Sequence, residues 1–288
     1  MNQKPHHQEK IKARPFVKWV GGKKQLLPKF ERLYSPKYNN YFEPFIGGGA
    51  VFLYLTPPKA YLNDVNKALI WAYKNIKKNP TGIINLLKAL QKDYYKKSGR
   101  ERENFYYSVR EEYNNLSDAS LKKSARLIFL NKTCYNGMYR ENSEGKFNVP
   151  FGRYKRPRIL DEENLLALSA TLKNTTLTSM DFEKAVEKAK RGDFVYFDPP
   201  YYPLSKTASF TSYSENGFLE KEQIRLKKTF ANLDRKGVFV MLSNSYTNFI
   251  RNLYKDYKQI VVTANRAINC KAEGRGKIRE LVILNYQV

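Results

Sequence analysis

Histidine and cysteine are nearly absent from this chain. Its 288 residues include two histidines, His6 and His7, side by side in a polar N-terminal stretch, and two cysteines, Cys134 and Cys270. That scarcity argues against a histidine base and against a His-ligated metal, so no metal is expected. Two cysteines cannot build a disulfide framework or a structural zinc site, and both are expected to stay reduced in a cytosol. Acid is also scarce: 27 Asp+Glu stand against 52 Lys+Arg, a formal net charge of +25. No apolar run approaches the roughly 18 residues of a transmembrane helix, and the opening MNQKPHHQEKIKARPF lacks the apolar stretch of a signal peptide. A cytoplasmic location is therefore expected. What is present is apolar material for a core, 42% of the residues, too much for a disordered chain. A folded chain with this cation excess implies a polyanionic partner, nucleic acid first and an anionic membrane as the rival. The length allows one core domain carrying a smaller insertion.

Residues 1–13 are polar, basic and without periodicity, and read as a disordered tail. Residues 40–45 (NYFEPF) read as a strand entering a glycine turn, and residues 60–63 (AYLN) as a second strand ending at Asp64. A helix is predicted over 63–79, with Leu69, Tyr73 and Ile76 on one face and Pro80 as its stop. Helical spacing continues through Ile83, Leu87 and Leu90 and again through Leu121, Ala125 and Ile128. Residues 66–168 thus form a mostly helical block, with a charged loop at 96–104 and an irregular basic stretch at 136–158. Strand signals return at 193–197 (DFVYF), 238–242 (VFVML), 259–263 and 280–286. Strands alternating with helices predict an α/β fold, a sheet with helices on both faces. In such sheets ligands bind beyond the carboxyl ends of the strands. Three polar clusters fall at strand ends: Gly47-Gly48-Gly49, Asp64, and Asp198-Pro199-Pro200-Tyr201.

The glycine triplet departs from G-x-G-x-x-G and is not followed by Gly-Lys-Ser/Thr, so dinucleotide and P-loop readings lose ground. A plain turn and a cofactor loop remain equal readings. Asp64 could accept bonds from ribose hydroxyls, or Asn63 or Asp64 could cap the next helix. Asp198-Pro199-Pro200-Tyr201 says more. Two prolines remove two backbone donors and stiffen the turn, so its carbonyls project. Asp198 and the Pro199 carbonyl could accept both hydrogens of an exocyclic amine, and Tyr201 could stack on a flat base.

Taken in order, these segments resemble the DNA adenine-N6 methyltransferases of the Dam and DpnM type, class D12 with the α-type motif order, which modify GATC. The resemblance rests on residues 18–23 (KWVGGK), 42–50 (FEPFIGGGA), 63–66 (NDVN), 131–140 (NKTCYNGMYR), 147–155 (FNVPFGRYK), 198–201 (DPPY) and 242–244 (LSN). It runs from about residue 16 to 286. It implies a Rossmann-like catalytic domain, 14–65 with 169–288, that binds S-adenosylmethionine, and an inserted helical target-recognition domain, 66–168. By similarity Trp19, Lys23, Phe45, Gly47, Gly49, Asp64, Phe182 and Asp198 would hold the cofactor, with Lys23 toward the methionine carboxylate and Asp64 on the ribose. Asp198, Pro199 and Tyr201 would be catalytic. Lys18, Tyr135, Asn136, Met138, Arg140, Pro150, Arg153 and Tyr154 would contact DNA, with Arg140 on a guanine. A second basic loop, Arg266, Lys271, Arg275, Lys277 and Arg279, would meet phosphates.

The implied chemistry is direct. The adenine N6 lone pair is conjugated into its ring. Hydrogen bonds to Asp198 and Pro199 would localise it for in-line attack on the sulfonium methyl, which positioning and charge stabilisation can carry. The base must first flip out of the duplex. The expected enzyme is a monomer acting on duplex DNA containing GATC, either the modification partner of a restriction endonuclease or an orphan. Methylation of RNA or protein, and a catalytically silent DNA-binding module, are the alternatives.

Overall fold

The computed structural model describes residues 11–23, 25–35, 37–204, 218–265 and 277–288. The tail reading at residues 1–10 and the basic loop at Arg266, Lys271 and Arg275 lie outside the described residues. The chain divides into two compact units, residues 1–20 with 71–173, and residues 21–70 with 174–288.

The second unit is built on seven strands: β1 (Tyr41–Glu43), β2 (Ala60–Asn63), β3 (Thr175–Thr178), β4 (Phe194–Phe197), β5 (Phe239–Ser245), β6 (Lys258–Asn265) and β7 (Lys277–Leu284). Their order across the sheet is β3-β2-β1-β4-β5-β7-β6. The first five run parallel, and β7 is antiparallel to both β5 and β6. This is the predicted α/β arrangement. β4 (FVYF) is buried at every position, as a central parallel strand covered on both faces must be. The helix Glu220–Arg235 buries Gln223, Leu226, Thr229, Phe230 and Leu233, an apolar stripe at helical spacing with two polar members. Leu226, Phe230 and Leu233 pack with Val195, Phe197, Val240 and Leu242 of the sheet in one core.

The first unit is helical among its described residues, with Pro80–Tyr95, Gly99–Asn114, Leu121–Thr133 and Glu162–Thr171. The helix Lys67–Lys78 crosses the division between the units. Residues 138–161 form no helix; the bridges Cys134–Phe151 and Glu141–Phe147 tie that stretch, with Tyr106 OH donating to Val149 O at 2.7 Å and Tyr95 OH to Pro157 O at 2.8 Å.

Four local expectations are corrected. The helix predicted from residue 63 starts at Lys67, because Asn66 caps it: its Oδ1 accepts from Leu69 N at 2.8 Å. Pro80, read as a stop, is also the first residue of the following helix, capped by Asn79 on Gly82 N at 2.8 Å. The loop read at 96–104 is helical from Gly99, where Ser98 N donates to Glu101 Oε2 at 3.2 Å, a capping contact that the Ser-x-x-Glu spacing encodes. Strand β3 carried no signal. It pairs with β2 alone at the edge of the sheet, and four residues, TTLT, are too few to display an alternation.

Candidate active site and nucleic-acid interface

Neighbouring parallel strands β2, β1 and β4 all end on one edge of the sheet. That brings the glycine turn, Asp64 and the Asp-Pro-Pro-Tyr turn to one edge, where the strand order reverses and ligands bind in open α/β sheets. Gly47 (φ 48°) and Gly49 (φ 71°) take left-handed backbone that a side chain would strain. Gly47 N donates to Asp64 Oδ2 and Asn66 N to Asp64 Oδ1, both at 3.0 Å. Asp64 therefore holds the turn rather than capping the helix. Each of its oxygens keeps a further lone pair for a ligand. Burial raises its pKa, against the opposing pull of those two amides. Asn63 locks the same edge, donating to Pro44 O and Met180 O and accepting from Met180 N, each at 3.0 Å.

Asp198 follows the last residue of β4. Lys23 Nζ lies 2.8 Å from its Oδ1 and donates to Gly21 O at 2.8 Å. The ammonium also sits 4.7 Å from the centroid of the Tyr201 ring, within cation–π range. Lys23 is 4% exposed, so the pair is largely out of water. Burial pushes the Asp198 pKa up and Lys23 opposes the rise. The turn beyond Asp198 is braced from behind. Gln223 Nε2 donates to Pro200 O at 3.1 Å, Asn244 Nδ2 to Gln223 Oε1 at 2.9 Å, and Tyr202 N to Asn244 Oδ1 at 3.1 Å. The Tyr201 hydroxyl donates to Glu280 Oε2 at 2.6 Å. No donor among the described residues reaches the Pro199 carbonyl, so Asp198 and Pro199 present two acceptors side by side. Phe45 and Phe182 lie 5.5 Å apart, each against Phe218, and the Arg225 guanidinium is 4.3 Å from the Phe182 centroid.

Glu43, at the end of β1, is buried among these groups. Its Oε2 accepts from Tyr41 OH at 2.8 Å and from Phe52 N at 3.1 Å, so a carboxylate from the neighbouring strand satisfies the start of the helix Ala50–Leu55. Burial raises its pKa to about 8. A carboxyl raised from 4.5 to about 8 favours folding fully below the lower value and loses that contribution as pH rises to the upper one. Thermal melts should therefore show Glu43→Gln gaining stability over the parent between pH 5 and 9, with the two converging at about pH 4.5. Parallel curves over that window would exclude Glu43 as the titrating group.

The first unit holds Lys18, Tyr135, Asn136, Met138, Arg140, Pro150, Arg153 and Tyr154, all expected to meet DNA, while Lys277 and Arg279 belong to the second. Asn131 is 1% exposed. It accepts from Lys18 N at 2.7 Å and donates to Lys18 O and Gly137 O, each at 2.9 Å. Lys18 thus runs beside the turn Tyr135–Gly137, with its ammonium 5.2 Å from the Tyr154 ring centroid. Tyr135 is exposed and its N–H donates to Pro150 O at 2.8 Å. Asn136 (φ 54°) and Arg153 (φ 50°) have left-handed backbone, which turns the chain sharply at both places. Arg140 is aimed by Asn148: its Nε donates to Asn148 Oδ1 at 2.6 Å and an Nη to Asn148 O at 3.1 Å. Trp19 stacks on Tyr139, 5.1 Å between centroids. Met138 is half-buried, its carbonyl 3.3 Å from Cys134 Sγ. Burial, then the charge of Lys18, lowers the Lys132 pKa to about 8.

Sequence reasoning assigned no role to Glu43, Gln223, Glu280, Asn131 or Asn148. Glu43 and Gln223 did leave a signal, a polar residue inside an apolar strand and one on the apolar stripe of a helix. No group of three His, Cys, Asp or Glu suited to a metal occurs among the described residues, and none of the described helices is long and apolar enough to cross a membrane.

An acid and a proline carbonyl that no donor among the described residues reaches stand at the topological switch point, with the glycine turn and Asp64 on the same edge, where an α/β sheet binds its ligands. Residues 19–268 match the D12 class N6 adenine-specific DNA methyltransferases, and the chain belongs to that family. It is 46% identical over 284 residues to the type II methyltransferase M1.LlaDCHI of Lactococcus lactis subsp. cremoris, spanning 96% of this chain and 97% of that one. It is 44% identical to the type II methyltransferase M.MjaIII of Methanocaldococcus jannaschii, spanning 96% and 100%. The DNA adenine methylase of Serratia marcescens is 36% identical, spanning 95% and 98%.

Proposed function

We propose that this DNA adenine methyltransferase modifies N6 of adenine within GATC in duplex DNA, as the modification partner of a restriction endonuclease. The observation that carries the chemistry is the pairing of the Asp198 carboxylate with a Pro199 carbonyl that has no donor among the described residues. Two acceptors side by side suit an exocyclic NH2 and nothing with a single hydrogen. Bonds to both would draw the amine toward tetrahedral geometry and localise its lone pair. Lys23, 2.8 Å from Asp198, favours the ionised carboxylate that this requires. Tyr201 supplies an aromatic wall for a base taken out of the stack.

The edge also fits S-adenosylmethionine. Gly47 and Gly49, both in left-handed backbone, leave room for close approach. Asp64 keeps lone pairs for ribose hydroxyls, the Lys23 ammonium suits a carboxylate, and Phe45 and Phe182 offer aromatic surface to an adenine. Bound there, the cofactor supplies an electrophilic methyl.

The target sequence rests on the first unit. Arg140, its guanidinium aimed by Asn148, has the fork that guanine O6 and N7 require. Exposed Tyr135 and neighbouring Met138 suit contact with a disturbed stack, and Lys18, Pro150, Arg153 and Tyr154 surround them. The modification role is favoured by the names of two relatives above 40% identity, M1.LlaDCHI and M.MjaIII, both type II methyltransferases.

Incubation with duplex DNA and labelled S-adenosylmethionine, followed by mapping of methylated positions, tests this. Label on adenine N6 within GATC is expected. Label confined to RNA or protein would overturn the substrate, and label in another DNA context would overturn the target sequence.

A further inference from the structure

Glu280 is a further carboxylate of this edge, after Asp198, Asp64 and Glu43, and the reaction as described gives it nothing to do. It stands on β7 opposite Ser245 of β5 and Val262 of β6, 79 positions along the chain from Tyr201, whose hydroxyl donates to its Oε2 at 2.6 Å. A charge-assisted bond of this length is among the stronger protein hydrogen bonds. Its negative charge also works against the reaction, since it adds to the rise in the Asp198 pKa. A carboxylate that makes the neighbouring acid harder to ionise needs a compensating task. The geometry names one. The Tyr201 ring is held at its hydroxyl by Glu280 and on one face by the Lys23 ammonium, 4.7 Å from the centroid. A ring held only through its Cα–Cβ and Cβ–Cγ bonds could turn. With its hydroxyl tied, the ring cannot swing about Cα–Cβ: the oxygen lies on the Cβ–Cγ axis, so the bond fixes the long axis of the ring, while the ammonium near its centroid favours one setting of its plane, and less ordering entropy is lost when a base binds.

We infer that Glu280 is a positioning residue: it presets where the Tyr201 ring stands as the platform on which the extruded adenine stacks. The inference rests on the reading of Tyr201 as the wall of the base site.

The test uses the full chain, S-adenosylmethionine, and duplexes with adenine or 2-aminopurine at the target position. The variants are Glu280→Ala, Glu280→Gln, Tyr201→Phe, Tyr201→Phe with Glu280→Ala, and Tyr201→Ala. Two quantities are read, the kcat and KM for DNA, and the fluorescence of 2-aminopurine, which stacking quenches. Glu280→Ala should lower kcat about tenfold, within the range of couplings between hydrogen-bonded neighbours, with KM little changed. The extruded 2-aminopurine should then be brighter than in the parent complex. Glu280→Gln, which keeps an acceptor oxygen, should recover most of both. In the Tyr201→Phe background Glu280→Ala should add nothing, because the bond is already gone. Additive losses, or a Glu280→Ala variant with parental kcat and fluorescence, would overturn the inference. A Tyr201→Ala variant with parental rate and fluorescence would instead remove the base-wall reading itself.

Discussion

Asp198→Ala is expected to reduce methyl transfer by at least about 10²–10³-fold, the scale on which loss of one preorganised polar contact to a reacting group is felt. DNA affinity should hold, because the substitution leaves every residue expected to contact the duplex in place, those of the first unit and Lys277 and Arg279 of the second alike. Two effects combine. The N6 amine loses one of its two acceptors, and Lys23, 4% exposed, loses its carboxylate partner. The second is a stability effect, because an unpaired buried charge is strongly unfavourable. Asp198→Asn separates them. It keeps an oxygen for the amine and a polar neighbour for Lys23, so it should melt closer to the parent yet transfer slowly for want of charge. Incorporation of labelled methyl, anisotropy of labelled duplex and a thermal melt give the three readings. Parental transfer by Asp198→Ala would remove Asp198 from the chemistry. Because burial raises the Asp198 pKa, transfer by the parent should also fall as pH drops through that raised value, since only the ionised carboxylate accepts from both sides.

Arg140→Ala should cost about 1–3 kcal/mol at one base pair, a loss of about 5- to 150-fold in discrimination there. The other base pairs should be read as before. The structure adds a reason for expecting Arg140→Lys to fail as well. Asn148 takes two donors of the guanidinium, which fixes the plane of the fork, and a lysine has no fork to fix. Asn148→Ala should then reproduce part of the loss while leaving Arg140 in place. The measurement is kcat/KM on a panel of duplexes with each base pair of the target replaced in turn. An unchanged preference at every position would refute the guanine contact.

The residues differ in how far they could be read from the chain. Asp198-Pro199-Pro200-Tyr201 was legible because four neighbouring residues and the apolar strand before them carry its chemistry. Asp64 was legible as a site residue but left two readings open. The structure separates them: Asn66 caps the helix, and Asp64 binds the glycine turn through Gly47 N. The helix from Gly99 was encoded in Ser98 and Glu101, yet its many charges suggested a loop, since the buried face shows only at Tyr106, Val109 and Tyr113. Gln223 and Asn244 brace a turn more than twenty residues away, and no local pattern announces such a partner.

Composition, the order of short motifs and the alternation of strands and helices were enough for the α/β class and for the family. Each is a property of residues close together in sequence, where backbone preference and periodicity act. The partners of those residues were decided elsewhere. Lys23 meets Asp198 across 175 positions, Tyr201 meets Glu280 across 79 and Lys18 meets Asn131 across 113. Such contacts depend on strand order and register, which many distant segments set together. A carboxylate at a strand end could be read from the chain, but the lysine that pairs with it and the burial that raises its pKa exist only once the sheet has closed around them.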